Sequence, residues 1–320
     1  MTACLITGFA GFIGSNLVDR LLNDGHEVTV YDNFMTGLWY FLKTEELRPD
    51  LTIVKNDLLK PEPLTNHMVG HDLVFHLAAN ADVRFGFDHP SRDLYQNTMA
   101  TFNVLEAMRV NNIPKLVFSS TSAIYGEPRV IPTPEDVLFP IQTSLYGASK
   151  LACEGLIEAY CHGYGMQAHI FRFVSVLGER YTHGHVFDFY KQLQSHPNYL
   201  DVLGDGTQRK SYLNVKDCIN GILCAVDKCK DPVNIFNIGT DEYCQVRDSI
   251  HWICEQLDVD PEVRYLGGKK GWIGDNPFTY LDTSKIRSLG WRSEYTIHES
   301  IIKTVQYLED NPSVLVRGHK

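Results

Sequence analysis

Residues 2–32 read TACLITGFAGFIGSNLVDRLLNDGHEVTVYD and contain two short β-rich segments with a helical segment between them. Residues 2–7 (TACLIT) and 27–31 (EVTVY) are rich in β-branched and apolar side chains, which predicts strands. The intervening FIGSNLVDRLLNDG has the apolar spacing that is typical of a helix, and Gly25 is a helix stop signal. The stretch is therefore predicted to form a β-α-β unit.

The same alternation continues toward the C-terminus. The next predicted elements are strand 51–54, strand 72–78, helix 91–111, strand 115–120, helix 146–162 and strand 167–176. Strands that alternate with helices over about 175 residues predict an α/β fold with a doubly wound parallel sheet. The second half is smaller and less regular. We expect one domain over 1–174 and a smaller mixed α/β domain over 175–320, with 212–240 returning to the first.

Composition and charge exclude several classes of protein. The chain has 320 residues, 44% of them hydrophobic and 21% charged, which is ordinary globular usage and suggests about two domains. Lys and Arg total 29 against 39 Asp and Glu, and no basic tract occurs, so nucleic acid is not an expected partner. No run of about 18 apolar residues and no signal-peptide pattern occurs, so we expect no membrane association and a cytoplasmic location.

Cysteine and histidine spacing predicts no metal site. The eight cysteines include no C-x-x-C pair, so we expect reduced thiols rather than a disulfide framework. His183 and His185, in the loop THGH, are two potential ligands without a third, which defines no metal site.

A glycine-rich turn follows the first predicted strand. Gly8, Gly11 and Gly14 are spaced G-x-x-G-x-x-G and open the next helix. The first glycine permits a tight turn, the second lets the backbone approach a pyrophosphate, and the third lets helix and strand pack closely. Turns use glycine whatever their ligand, but the position of this trio between a strand and a helix indicates a dinucleotide site.

Asp32 distinguishes NAD from NADP. It ends the second strand, 24 residues after Gly8, where a carboxylate accepts hydrogen bonds from the adenosine ribose. Its charge would repel a 2′-phosphate, and no Arg or Lys follows before Lys43, so the predicted cofactor is NAD. Asp57, after the third strand, is placed to meet the adenine ring; the alternative role is a helix N-cap.

Tyr146 and Lys150 form a Y-x-x-x-K pair at the start of a predicted helix, so that phenol and ammonium project from one face. A tyrosine pKa of about 10 makes a poor base, but a nearby ammonium and a cationic nicotinamide ring both favour the phenolate. Alone, the pair also fits an ordinary exposed helix face. Ser119 and Thr121 favour catalysis, because hydroxyls at the carboxyl end of a parallel strand face the ligand crevice.

Together these motifs resemble the extended short-chain dehydrogenase/reductase superfamily and, within it, the nucleotide-sugar epimerase branch typified by UDP-glucose 4-epimerase. The resemblance covers nearly the whole chain. Its segments are TGFAGFIGS, Asp32–Asn33, HLAA (76–79), Asn97, FSSTSAIYGEP (118–128), LYGASK (145–150), LGER (177–180), GDGTQRKSYLNVKD (204–217) and LDTSK (281–285). It implies a Rossmann domain over 1–174 that binds NAD and a domain over 175–320 that binds a nucleotide sugar.

The resemblance also implies roles for individual residues. Those matching Thr121, Tyr146 and Lys150 bind and deprotonate the sugar 4-hydroxyl. Expected NAD contacts come from Gly8, Gly11, Phe12, Ile13, Gly14, Asp32, Asn33, Asp57, Leu58, Leu77, Ala78, Ala79, Asn97, Ser119, Tyr146 and Lys150. Expected substrate contacts come from Thr121, Ser175, His185, Val186, Lys210, Asp275 and Thr279.

Two positions after Thr121 distinguish among reactions. Sugar 4,6-dehydratases of this superfamily carry an Asp-Glu pair there, and UDP-glucuronate decarboxylases keep the glutamate, whereas this chain has Ser122 and Ala123. Dehydration then lacks its acid and base, and redox chemistry at C4 remains.

Other positions depart from the family pattern. Ser175, Lys210 and Trp272 stand where relatives usually carry an asparagine and two arginines that contact the diphosphate. Thr279, three residues before Asp282, matches a position where tyrosine restricts relatives to plain hexoses and a smaller residue admits N-acetylated ones. We expect tolerance of a substituted sugar such as an N-acetylhexosamine or a uronic acid; the alternative is that Thr279 merely belongs to a β-rich run.

The resulting hypothesis is a UDP-sugar 4-epimerase that works through a transient 4-keto intermediate. Two alternatives stay open: a nucleotide-sugar 4-dehydrogenase/reductase with net redox at C4, and a non-catalytic NAD-binding sensor. A homodimer is also expected. The helix around 94–108 and the Tyr146 helix have more apolar positions than one core face needs, and similar enzymes pair such helices across a two-fold axis; cover by the C-terminal region is the alternative.

Overall fold

The computed structural model describes residues 1–41, 48–138 and 140–316, which divide into two compact units. The first unit comprises Met1–Ile124, Ser144–Arg172 and Ile222–Phe236, and the second comprises Tyr125–Thr143, Phe173–Gly221 and the described residues from 237 onward. The boundary predicted between residues 174 and 175 missed one feature: residues 125–143, which come before it, belong to the second unit. The assignment of NAD to one unit and the nucleotide sugar to the other stays a prediction.

Strands and helices alternate along the chain. The strands are β1 (Ala3–Thr7), β2 (Glu27–Asp32), β3 (Leu51–Lys55), β4 (Leu73–His76), β5 (Lys115–Thr121), β6 (Gln167–Phe173), β7 (Ser175–Leu177), β8 (Tyr199–Val202), β9 (Arg209–Lys210), β10 (Tyr212–Asn214), β11 (Val233–Ile238), β12 (Cys244–Gln245), β13 (Glu262–Tyr265) and β14 (Phe278–Thr279). The α-helices are α1 (Phe12–Asn23), α2 (Pro61–His67), α3 (Phe85–Asp88), α4 (Pro90–Asp93), α5 (Ala100–Val110), α6 (Leu145–Tyr164), α7 (His185–Ser195), α8 (Val215–Lys228), α9 (Val246–Leu257), α10 (Ser284–Ser288) and α11 (Ile297–Asp310). A π-helix covers Leu94–Met99, and 3-10 turns cover Trp39–Phe41, Ser122–Tyr125 and Pro312–Val316.

The first unit is built on a seven-stranded sheet with the order β11-β6-β5-β4-β1-β2-β3. Strand β1 pairs in parallel with both β2 and β4, while β2 pairs with β3 and β4 with β5 in the same sense. The strand order reverses at β1, so the carboxyl ends of β1 and β4 border the switch point at which such sheets bind ligands. The predicted doubly wound α/β sheet is confirmed.

The core of this unit explains why its central strands are apolar throughout. Leu5, Val74 and Phe118, from three adjacent strands, are fully buried, as are Met108 of α5 and Ile157 of α6. Strands that are flanked by helices on both sides need apolar residues on both faces. This packing fixes the strand ends on which the predicted site residues stand.

The second unit has smaller sheets, as the less regular sequence predicts. Strand β8 pairs with β13 and β7 with β10, both in parallel, and β9 lies between β12 and β14. Helix α11 packs against α7 and α9. Leu193, Ile253 and Leu308, one from each of these helices, are buried.

Two predicted elements differ in the structure. The predicted strand 167–176 breaks after Phe173: the Val174 N–H donates to the Ile238 carbonyl (3.2 Å), and Ser175–Leu177 then pairs with β10. A run of β-favouring residues does not show which neighbours it will pair with. The predicted helix 91–111 contains the π-helix, whose extra residue per turn leaves no mark on an apolar spacing pattern.

Within the described ranges, none of the helices combines the length and apolar composition that crossing a bilayer requires. The same residues include no group of three or more His, Cys, Asp or Glu side chains arranged to hold a metal ion. All eight cysteines are free thiols.

Candidate active site

The glycine turn between β1 and α1 leaves no room for a side chain at two of its three glycines. Gly8 has a φ of +75°, and a Cβ there would lie 2.5 Å from the Ala78 nitrogen. A Cβ at Gly14 would lie 2.6 Å from Cα of Phe9. At Gly11 the nearest atom is the Gly8 carbonyl oxygen, 3.3 Å away. The protein's own packing therefore requires the first and third glycines, whereas the second keeps space open for a ligand.

The start of α1 supplies hydrogen-bond donors for an anion. The helix begins at Phe12, and Gly11 at its N-cap has no side chain that could cap it. The first N–H groups of an α-helix have no partner within the helix, and the helix dipole adds attraction for negative charge. The N–H groups of Phe12, Ile13 and Gly14 therefore fit the pyrophosphate of a dinucleotide.

Two backbone donors hold the Asp32 carboxylate at the end of β2. Its Oδ1 accepts the Phe34 N–H (2.7 Å), and its Oδ2 accepts the Ala10 N–H (3.1 Å). A carboxylate oxygen has more than one lone pair and can accept a ribose hydroxyl in addition to a backbone N–H. Lys43 lies outside the described residues. The carboxylate therefore fits the adenosine end of NAD.

Asn33 and Asp57 are brought together beside Asp32. The Asn33 Nδ2 donates to Oδ2 of Asp57 (3.3 Å), while Oδ1 of Asp57 accepts the Leu59 N–H (2.9 Å). The N-cap residue of α2 is Lys60, so the alternative N-cap role for Asp57 is wrong. Leu58, another predicted cofactor contact, is buried.

The segment after β4 lies against the glycine turn. The Thr7 hydroxyl oxygen is 2.7 Å from Nδ1 of His76, whose Nε2 is 3.0 Å from the Thr101 hydroxyl. Burial lowers the pKa of His76 to about 3, so this ring is neutral. The Leu77 N–H donates to the Thr7 carbonyl (3.1 Å). The predicted contacts Leu77, Ala78 and Ala79 thus follow the strand that borders the switch point.

The π-helix directs Asn97 toward α6. Asn97 Nδ2 donates to the Ser149 hydroxyl (2.8 Å), and its Oδ1 accepts the Asn80 N–H (2.8 Å). Asp93 accepts hydrogen bonds from Nδ2 of both Asn80 (2.9 Å) and Asn97 (3.3 Å). Burial raises the pKa of the Asp93 carboxyl. The predicted residue Asn97 is therefore locked into a buried polar network.

The predicted catalytic residues converge at the start of α6. The helix begins at Leu145, and the Ser144 hydroxyl caps it by accepting the Gly147 N–H (3.0 Å). The Thr121 hydroxyl, at the end of β5, lies beside the Tyr146 phenol. One turn later, Lys150 Nζ donates to the Ser119 carbonyl (2.7 Å), and the Ser119 hydroxyl donates to the His76 carbonyl (3.3 Å).

Burial dominates the electrostatics of this group. It raises the pKa of Tyr146 to about 12, and the nearby Thr121 hydroxyl partly opposes this rise. It also lowers the pKa of Lys150 to about 8. The Lys150 ammonium lies 4.5 Å from the centre of the Phe118 ring, an arrangement that favours the charged form. Because burial disfavours the phenolate form of Tyr146, positive charge close to the phenol oxygen is needed to stabilise it.

Three predicted substrate residues meet in the second unit. Lys210 on β9 donates to Oδ1 of Asp275 (2.7 Å) and to the Asn276 carbonyl. Thr279 on β14 is the register partner of Lys210. Asp275 thus neutralises much of the Lys210 charge. The sequence analysis expected both residues but did not predict that they pair.

His185, Ser175 and Val186 lie elsewhere in the same unit. His185 begins α7, stacks on Tyr212 at 4.7 Å, and its Nε2 is 2.7 Å from the Ser249 hydroxyl. Ser175 is the register partner of Tyr212. Val186 is fully buried, so the structure exposes no part of it to a substrate.

A family model described as the NAD dependent epimerase/dehydratase family matches residues 4–239. The chain belongs to this family. It is 30% identical over 314 residues to UDP-glucose 4-epimerase of Mycolicibacterium smegmatis, covering 96% of this chain and 98% of that one. Among solved structures it resembles UDP-glucose 4-epimerase from Thermotoga maritima with UDP-glucose (29% identity, TM-score 0.87, 97% and 99% of the chains). It also resembles UDP-glucuronic acid 4-epimerase from Bacillus cereus with UDP-glucuronic acid and NAD (27% identity, TM-score 0.88, 96% and 99%).

Membership of the epimerase/dehydratase family confirms several expectations. The chain is an NAD-dependent enzyme of the nucleotide-sugar epimerase branch, and NAD is its cofactor. The roles of individual site residues stay predictions, which the geometry above now makes specific.

The sequence analysis missed Asp93, Ser149 and Glu154. Asp93 and Ser149 hold Asn97, and Glu154 lies one turn beyond Lys150 on α6. One signal was available for Glu154: the positions 146, 150 and 154 are four apart and share a helix face. Nothing in the sequence marks Asp93, because the π-helix that places it is not visible there.

Proposed function

We propose that the protein is a 4-epimerase that inverts C4 of a UDP-sugar through a transient 4-keto intermediate. The observation that carries this proposal is the juxtaposition of three side chains: the Thr121 hydroxyl lies beside the Tyr146 phenol, and Lys150, one turn further along the same helix, is fixed to the Ser119 carbonyl. Ser122 and Ala123 provide no carboxyl group for dehydration. The similarity to UDP-glucose and UDP-glucuronic acid 4-epimerases supports a UDP-sugar as substrate.

In this proposal Tyr146 removes the proton from the sugar O4, and the Thr121 hydroxyl donates a hydrogen bond to the same oxygen as it becomes a ketone. Bound NAD supplies the hydride acceptor for C4 and a positively charged ring that favours the phenolate. In this proposal Lys150 adds positive charge and transfers no proton, and its hydrogen bond to the Ser119 carbonyl holds the ammonium in place. Once the ketone has turned its other face, C4 would take back the hydride that the bound cofactor carries and O4 would take back the proton from Tyr146, which completes the inversion with no net redox change.

We assign the nucleotide sugar to the side chains around Lys210. As a lysine it offers the diphosphate a point charge rather than an arginine fork, and Asp275 neutralises part of that charge. Thr279, next to it in the sheet, is small enough to leave room for a substituent on the sugar and has a hydroxyl that can bond to it.

The test is to incubate the purified protein with a panel of UDP-, GDP-, CDP- and dTDP-sugars and to follow C4 inversion by proton NMR. We expect inversion of a UDP-sugar without build-up of NADH. Tyr146→Phe, which removes only a hydroxyl, should abolish inversion and still bind NAD. Build-up of NADH, or consumption of added NAD, would instead establish a net dehydrogenase. Unchanged biological activity of Tyr146→Phe would favour the sensor.

We also propose a homodimer that forms through the π-helix, α5 and α6. The apolar positions Thr101, Leu105 and Met108 are buried and serve the core, so they are not the dimer face. Seven other large apolar side chains on these helices are exposed, and such a number on three neighbouring helical segments favours an interaction site over singly scattered surface residues. They are Leu94, Tyr95, Met99, Phe102, Val110, Leu145 and Tyr164.

A further inference from the structure

A buried carboxylate in the first unit takes no part in the mechanism proposed above. Glu154 is 1% exposed; it accepts the Ser120 hydroxyl, and the Arg172 guanidinium donates to it from Nη2 (2.7 Å) and Nε (3.2 Å). We call Ser120, Glu154 and Arg172 the Glu154 cluster. Well-packed apolar residues often replace a buried ion pair without loss of stability, so its presence here suggests a role other than stability.

The Glu154 cluster continues a series of contacts between α6 and β5. Tyr146, Lys150 and Glu154 stand four residues apart on one face of α6. Lys150 and Glu154 are hydrogen-bonded to Ser119 and Ser120, and Tyr146 lies beside Thr121, so the three side chains face the last three residues of β5. Arg172, on the adjacent strand β6, donates hydrogen bonds to Glu154 and so fixes the third of these contacts. The end of β5 is thus fixed against the helix on three successive turns.

Glu154 also places charge near the catalytic residues. Burial lowers the pKa of Lys150, whereas Cys153, Glu154 and Asp93 raise it, so the carboxylate helps to keep the ammonium protonated. The Arg172 guanidinium, paired with Glu154, offsets the negative charge of that carboxylate. The other titratable groups that act on this region are Asp93, His76, Cys153 and Glu158.

We propose that Glu154 is a positioning residue for the reaction: together with Arg172 it fixes the end of β5 against α6 and balances the charge around Tyr146 and Lys150. This inference rests on the proposed function, because it takes Tyr146 as the base. The competing explanation is structural, in which the ion pair only joins α6 to β6. The two explanations differ in what they predict for the pKa of Tyr146 when the charge of Glu154 or Arg172 is removed and the shape of the side chain is kept.

The experiment titrates Tyr146 in the full chain loaded with NAD, using the phenolate difference absorbance against Tyr146→Phe. Glu154→Gln keeps the shape and removes one negative charge. The pKa of Tyr146 should then fall by about one unit, for a unit charge roughly 12 Å away along the helix at an effective dielectric constant of about 20. Arg172→Met should shift the pKa upward, and the double variant should return toward the original value. Glu158→Gln, one turn further along the same helix and outside the cluster, is the matched control: Glu158 is exposed, so water and salt screen its charge, and its removal should lower the pKa of Tyr146 by clearly less than Glu154→Gln does.

Shifts of opposite sign with recovery in the double variant would support the proposal. Folded variants in which Tyr146 does not shift, or shifts in the same direction in both, would overturn it. If either variant fails to fold, Ser120→Ala supplies the test, since it removes one hydroxyl and leaves the ion pair. Loosening Thr121 should then raise the pKa of Tyr146 by about half a unit and lower kcat about tenfold with KM unchanged; an unchanged pKa would overturn the proposal. The titration needs no sugar, so a chain that turns over none of the panel but shows the shifts would refute only the proposed function.

Discussion

Alanine substitution in the glycine turn should separate folding from cofactor binding. At Gly14 the added methyl would lie 2.6 Å from Cα of Phe9, where ordinary contacts start at 3.4 Å, so helix and strand must move apart. Overpacking costs about 1–3 kcal/mol, and contacts this short with backbone atoms put Gly14→Ala in the upper part of that range, at about 2–3 kcal/mol, of which replacing a helical glycine returns about 1 kcal/mol. We expect Gly14→Ala to lose about 1–2 kcal/mol and roughly 2–8 °C in Tm. Gly8→Ala, with φ +75° and backbone 2.5 Å away, should lose more.

Gly11→Ala should behave differently. Its backbone is extended, with φ −84° and ψ 179°, and its nearest neighbour is 3.3 Å from the added methyl. We expect a stability loss of about half a kcal/mol, from a weaker N-cap alone. The methyl would instead occupy the path of the pyrophosphate. An affinity for NAD about tenfold weaker would remove about 1.4 kcal/mol of the stabilisation that NAD gives at a fixed, high concentration.

The assay is thermal unfolding of the three variants with and without NAD, together with calorimetric dissociation constants. Gly8→Ala and Gly14→Ala should lower Tm without NAD, and Gly11→Ala should lower mainly the increment that NAD adds. A Gly11→Ala protein that binds NAD as tightly as the original would refute the pyrophosphate assignment. A Gly14→Ala protein with the original Tm would refute the packing argument.

Lys150→Met should change the pH dependence of stability. Burial lowers the Lys150 pKa from 10.5 to about 8, so the folded state carries the cost of an ammonium below pH 8 and loses it as pH rises to 10.5. From pH 8 to 10.5 the unfolding free energy of the original protein should therefore rise by up to about 3 kcal/mol relative to that of the variant. Denaturant titrations at several pH values measure this difference. Parallel plots of unfolding free energy against pH for the two proteins would contradict the prediction. Combining Met99→Glu with Phe102→Glu should convert a dimer to a monomer in light scattering, whereas an unsubstituted chain that is already monomeric would exclude the dimer. Thr279→Tyr should depress turnover of an N-acetylated or uronic acid sugar more than of the plain hexose; equal losses would show that Thr279 does not gate the pocket.

The first unit could be predicted closely because its strands and helices have different apolar periods. Strand β5 was expected over 115–120 and covers Lys115–Thr121, and the Tyr146 helix was expected over 146–162 and covers Leu145–Tyr164. The second unit could be predicted only in outline. Its strands β9, β12 and β14 are two residues long, and their pairing joins segments that are far apart in the chain.

The site divides in the same way. Asp32, His76 and Thr121 follow from the fold, because parallel strands end at one edge of a sheet. Glu154 and Asp93 belong to no motif, and they become recognisable only when α6 and the π-helix place their carboxylates among specific donors. The pairing of Lys210 with Asp275 likewise depends on β9 and the later loop meeting, which no local pattern records.

The π-helix at Leu94–Met99 makes the chain sensitive to length at this point. An α-helix rotates by about 100° per residue, so removing one residue here would restore regular α geometry and rotate Asp93 by about that angle relative to α5. The buried side chains of α5 would keep their places, whereas side chains before the deletion would turn relative to them, and the hydrogen bonds that hold Asp93 and Asn97 in place would change. A one-residue gap over 94–99 between this chain and another family member should therefore be treated as a change in the polar network that holds Asn97, rather than as neutral variation in helix length.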